Sequence, residues 1–111
     1  MSLTRYDLAA AFAPSESGAS RKLLISAPGL KVLYLSLMPG QGMPVHNHPG
    51  CTVTIQGMVG EATVWLEGEA HRLTSQELVT FSGELSVSPR NLSDAPAGVL
   101  ISLVEAPMST P

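Results

Sequence analysis

The sequence predicts a single all-β domain, a sandwich or barrel of about six to eight short strands behind one short helix. Two observations carry this. From residue 21 onward, runs rich in Leu, Val, Ile and Thr recur between turn signals: RKLLIS, KVLYLSLM, CTVTIQGMVG, EATVWL, ELVTFSGELSVS and GVLISLVEA, separated by pieces such as APG, PGQG and EGE. Strand-sized runs punctuated by Gly and Pro, with no second helical period and no fixed repeat, are the pattern of an antiparallel β fold. The length, 111 residues, supplies one core and leaves nothing for a second. The expected organisation is a helix and linker over 1–20, the barrel over 21–106 and a flexible tail over 107–111.

Taken in order, TRYDLAAAFA at 4–13 is the one convincing helix: good helix formers, an apolar face of Leu8, Ala9, Phe12 and Ala13, and Pro14 as a stop. SESGAS is a polar connector. In KVLYLSL, alternation puts Leu33, Leu35 and Leu37 on the core face and Val32, Tyr34 and Ser36 on the other. In EATVWL, Ala62, Val64 and Leu66 share one face and Trp65 stands opposite. A Trp there is packed under a neighbouring segment, the helix being the candidate, or lies in a dimer seam.

Charged residues are 14% of the chain against a usual figure of about 25%, and the net charge is −3. This excludes the basic footprint of a nucleic-acid binder and the composition of a disordered chain. The apolar runs are too short to span a bilayer by helix, so no membrane partner is expected. The N-terminus lacks the order of a secretory signal, and Cys51 is the single cysteine, which together predict a cytoplasmic protein without disulfides. So few charges on a small body predict a covered apolar surface, hence a homodimer.

Chemistry concentrates at Pro44-Val45-His46-Asn47-His48. Two histidines two apart on an extended segment project to one side, and two imidazole nitrogens suit a transition metal such as iron, nickel, zinc or copper. Cys51 has the parity of Val53 and follows His48 by three residues. It is a candidate third ligand, against the commoner condition of a free Cys as a small buried hydrophobe. Met38, Met43 and Met58 flank the segment and are candidates for an apolar pocket or for plain core filling. His71 has inward parity and reads as core or rim packing. Glu61, Glu67 and Glu69 read as surface residues, and Arg90 and Asn91 as a solvated loop or an anion site at the barrel mouth.

The spacing Gly40, five residues, His46, one, His48 and then Gly60 resembles the first signature of the cupin family, in which a Glu ligand would stand at Val53. GEATVWLEGEAHRL is similar to the hairpin between the two cupin signatures, with Glu67-Gly68 as its turn and Glu77 in a strand-opening turn beyond. The second signature falls on QELVTFSGELSVSPRN: its first Gly on Gln76, its Pro on Ser82, its second Gly on Glu84, its His on Val87 and its Asn on Asn91. The resemblance runs from about Leu30 to Val104. It implies a double-stranded β-helix, a jelly-roll-like barrel in which His46 and His48 occupy two of four ligand positions and Val53 and Val87 the other two.

Three functions follow as expectations. The first is a metal-dependent cupin in which His46 and His48, with Cys51 or without it, hold an ion for dioxygenase or isomerase chemistry on a small molecule. The second is a metal-free cupin that binds a small ligand as a sensor or accessory module, its pocket lined by Val53, Val87, Leu35, Met43 and Met58. The third is a structural dimeric partner.

Overall fold

The computed structural model describes residues 2–106; the expected tail at 107–111 lies outside the described residues. One helical turn, α1 (Leu8–Ala11), precedes eight strands: β1 (Ser20–Ala27), β2 (Leu30–Leu37), β3 (Thr52–Val59), β4 (Glu61–Leu66), β5 (Glu69–Thr74), β6 (Leu78–Ser82), β7 (Val87–Arg90) and β8 (Ala97–Val104). All pairings are antiparallel. They form a five-stranded sheet in the order β1-β2-β8-β3-β6 and a three-stranded sheet in the order β5-β4-β7. The segment before β3 widens the smaller sheet: Gly42 bridges Arg90 and His46 bridges Val87, so this stretch lies along β7.

The core sits between the sheets and uses the faces that alternation assigns. Leu33, Leu35 and Leu37 from β2 meet Val53 and Ile55 from β3, Ala62 and Val64 from β4, and Val99 and Ile101 from β8. Each fully buried Leu or Ile contributes on the order of 1.5–3 kcal/mol over an exposed one. Between β4 and β5, Glu67 and Gly68 both have positive φ, 49° and 78°. That is the two-residue turn whose twist matches paired strands. The Glu77 carboxylate accepts from the Thr74 backbone N–H and hydroxyl at 2.7 and 2.6 Å, holding the turn that leads into β6.

The N-terminal expectation needs correction. Only Leu8–Ala11 is helical, with Asp7 as N-cap accepting from the N–H groups of Ala9 and Ala10. Pro14 disfavours helical geometry at the residue before it, so Asp7 and Pro14 leave room for little more than one turn. Ala11 is the residue that this turn buries. What docks is the piece after it. The Phe12 ring meets the edge of Tyr34 at 6.4 Å, and the Ala13 N–H donates to Ser36 Oγ at 3.0 Å. Tyr34 and Ser36, on the outward face of β2, are thereby 1% exposed, so β2 is buried on both faces. Trp65 is not covered by the helix: the Arg90 guanidinium of neighbouring β7 lies 4.9 Å from its ring centroid in a cation–π contact, and the ring stays half-buried. No helix of the described residues is long and apolar enough to cross a membrane.

Candidate functional site

Residues 42–51 build the site because they are tied at both ends to the β6–β7 connection and β7. His46 exchanges both backbone hydrogen bonds with Val87, at 3.0 and 2.8 Å, and the His48 N–H donates to the Gly83 carbonyl at 2.8 Å. This pairing puts the side chains of His46 and Val87 on one side. A tight turn follows, with the Cys51 N–H on the His48 carbonyl at 3.1 Å and Gly50 at φ 81°. Gly83 lies against this turn, where a Cβ would run into the carbonyl oxygens of His48 and Cys51. Only glycine permits that approach.

Above this frame is a cavity of about 300 Å³. Its floor is dry: Leu35, Val53, Ile55 and Val87 are at most 2% exposed, and Leu33, Ile101, Leu103 and Met43 continue the apolar wall. Its polar lining is confined to three residues nearer solvent, the half-buried His46 and His48 and the exposed Arg21. The two imidazoles stand edge to face, their centroids 4.8 Å apart. His46 Nδ1 lies 2.7 Å from the Pro44 carbonyl, which makes it the donor and leaves Nε2 as the acceptor when the ring is neutral. Burial, then the neighbouring His46, then Arg21 hold the His48 imidazole below the ordinary histidine value, so it is neutral at pH 7.

Val53, Val87, Leu35 and Met43 thus share one cavity with His46 and His48, whereas Met58 does not line it. The register of β3 shifts between Gly57 and Val59, so Met58 sits in a bulge that breaks the alternation. It also lies five residues beyond Val53, roughly 16 Å along the strand. Cys51 is likewise not among the cavity's lining residues. Cys51 closes the turn through its N–H on the His48 carbonyl and precedes β3, so the alternation that governs Val53 does not extend back to it. Cys51 faces a second pocket of about 250 Å³, shared with Lys31, Asn47, His48 and Glu105. His71 is exposed, its side chain 46% accessible and 3.8 Å from Glu69. Asn91 is neither at a mouth nor in a solvated loop: it is 0% exposed, and its side-chain amide donates to the carbonyls of Leu37 and Ala95 at 2.9 and 2.8 Å. Arg90 is spent on Trp65 and on Ser88 Oγ, to which its Nε donates at 2.9 Å.

Arg21 is the site residue that sequence reading passed over. It pairs with Leu35 in the β1–β2 register, which places it on the inner face at the edge of the large sheet. RKLLIS carries too weak an alternation to reveal this, because β1 has its own register shift between Leu23 and Ile25.

The fold is shared with solved structures. The chain resembles a protein of Thermus thermophilus at TM-score 0.86 and 21% identity, covering 95% of this chain and 100% of that one. It resembles an RmlC-like cupin protein from Desulfovibrio desulfuricans at TM-score 0.84 and 17% identity, over 95% and 99% of the two chains. The protein has the cupin fold. A predicted oxalate decarboxylase from Thermotoga maritima is a more distant match, at TM-score 0.72 and 16% identity over 78% and 79%. No family model matches the chain, and no curated protein does.

Cupins commonly carry a metal ion, and the donors in this cavity do not fit one. Two imidazoles bring no negative charge, Val53 and Val87 stand where the cupin resemblance implies the other two ligands, and Arg21 adds a positive charge to the same wall. Among the described residues, no group of three or more His, Cys, Asp or Glu side chains is placed to hold an ion.

Proposed function

We propose that this cupin binds a small molecule in the cavity beside His46 and His48 without a resident metal ion, as a ligand-binding or accessory module. The supporting observation is the pairing of a dry floor, in which valine occupies the two remaining ligand positions, with a short polar rim. A concave apolar chamber with a few polar groups at one end is the ordinary form of a small-molecule site. His46 and His48 then act as hydrogen-bonding groups: His46 Nε2 accepts, and His48 offers one N–H and one acceptor. The homodimer belongs to this reading, supported by the low charge content and by exposed Leu23 and Leu78 on the two edge strands of the large sheet. Light scattering that returned a monomer at micromolar concentration would count against it.

The test is an NMR titration of metal-free protein with short alkanols. Amide shifts should concentrate on β2, β3 and residues 43–48, and Leu33→Phe, which fills the chamber, should abolish them. Elemental analysis of protein purified without a His-tag is the companion measurement. Stoichiometric iron, nickel, zinc or copper would overturn this reading in favour of a metal-dependent one.

A further inference from the structure

We propose that the ligand is a small amphipathic monocarboxylate, its hydrocarbon part against Leu35, Val53, Ile55 and Val87 and its carboxylate on the guanidinium of Arg21. This rests on the cavity reading above and names the chemistry of what the cavity takes.

The argument begins from charge. The chain is acidic, at −3, yet no residue lining the cavity is acidic and its one permanently charged side chain is a cation. Arg21 belongs to neither ion pair found among the described residues, which join Arg72 to Glu61 and His71 to Glu69. β2, the one strand paired with β1, carries no acid, Glu84 accepts from the Gly50 N–H at 2.9 Å, and Glu105 lines the second pocket. Arg21 therefore stands at an apolar chamber with its charge uncompensated by protein, and its presence there contributes to depressing the proton affinity of His48.

A guanidinium presents a planar fork of donors that matches a carboxylate two bonds at a time, which an alcohol or an amine cannot use. The one permanent cation of the lining balances one negative charge, so a monoanion fits and a dianion leaves a charge unmatched over an apolar floor. Position sets the ligand's polarity along its length. Arg21 is exposed at the edge strand, and the walls become less accessible toward Leu35 and Val53, so the carboxylate stays at the rim while the chain enters the dry end. Size follows from the cavity of about 300 Å³. At about 30 Å³ for each water-sized group it takes roughly ten non-hydrogen atoms.

Calorimetric titration of the full-length, metal-free protein with three probes of equal chain length, hexanoate, hexanol and hexylamine, tests this. Hexanoate should bind about tenfold or more tighter than hexanol, and hexylamine weakest, because a charge-assisted pair at a partly dry rim discriminates by that order. Arg21→Gln should cut hexanoate affinity about tenfold while leaving hexanol unchanged, and Arg21→Lys should fall between the two. Arg21 is exposed, so unaltered thermal melting should accompany both variants. If hexanol binds as well as hexanoate, or if Arg21→Gln leaves hexanoate affinity intact, the carboxylate assignment is wrong and the cavity reading stands. If none of the three probes binds, the cavity reading falls and this inference with it.

Discussion

His46 and His48 on one side and Asn91 on the other are the polar residues that match the two cupin signatures the sequence resembles, and their surroundings are opposite. Asn91 is fully buried and every hydrogen-bonding capacity of its side chain is used. It donates to the Leu37 and Ala95 carbonyls, and its Oδ1 accepts from the Ser93 N–H and hydroxyl at 2.9 and 2.6 Å. Its backbone joins the same knot, with Gly40 N–H on the Asn91 carbonyl at 2.8 Å and the Asn91 N–H on the Gln41 carbonyl at 2.8 Å. The two histidines are half-buried, and the one side-chain hydrogen bond between them and the protein is a local one from His46 to Pro44. Asn91 is satisfied by the fold and serves it. The histidines hold unspent hydrogen-bonding capacity at the wall of a cavity, which is what a binding group requires.

The sharpest way to break this contrast is to remove each residue in turn. Asn91→Ala removes the donor to the buried Leu37 carbonyl together with its bonds to Ala95 and Ser93, and should destabilise by on the order of 3–5 kcal/mol. His46→Ala loses one exposed local bond and should cost less than about 1 kcal/mol. Denaturant unfolding of both variants decides it, and equal losses would show that the histidines are structural.

Next in size is the replacement of the two valines. Val53→Glu with Val87→His places a carboxyl and an imidazole where apolar side chains pack, which should destabilise the metal-free protein by about 2–4 kcal/mol. Nickel or zinc at about 100 times its dissociation constant should return about 2.7 kcal/mol by binding the native state. A melting temperature indifferent to metal would mean that these side chains do not converge with His46 and His48.

A smaller effect sharpens the histidine side of the comparison. Burial foremost, with His46 and Arg21, lowers the His48 pKa in the folded protein, so between the unfolded value of about 6.5 and the lower folded value the unfolded chain binds more protons. Stability from this source is fully present above about pH 6.5 and is lost as the pH falls through the folded value. Melting temperature measured from pH 8 to pH 5 should drop at the acid end, and His48→Asn should flatten the drop. An unchanged slope in the variant would remove His48 from the account.

The smallest effect tests another position where the second signature serves the backbone. Gln76 stands where a glycine is expected and adopts φ 72°, a left-handed conformation costly to a side chain, with its N–H on the Gly57 carbonyl at 2.9 Å. Gln76→Gly should stabilise by about 0.5–1 kcal/mol. A loss of stability would mean that the Gln side chain compensates for the strain.

What the chain determined by itself is local and periodic. Alternation in β2 and β4 named the core faces, Glu67-Gly68 named a hairpin, and the spacing from Gly40 to Gly60 located the histidine segment and the valine at the neighbouring position. These follow because side-chain direction in a strand repeats every two residues for as long as the strand is unbroken. Tertiary structure decided whatever lay beyond an interruption of that repeat. The turn at Pro49-Gly50 sent Cys51 to a different pocket, the bulge at Met58 took that side chain out of the wall, and Pro14 with Asp7 confined the expected helix to one turn. Cross-strand register brought Arg21 opposite Leu35 and so into the cavity, and register joins residues whose separation in sequence carries no signal of their contact.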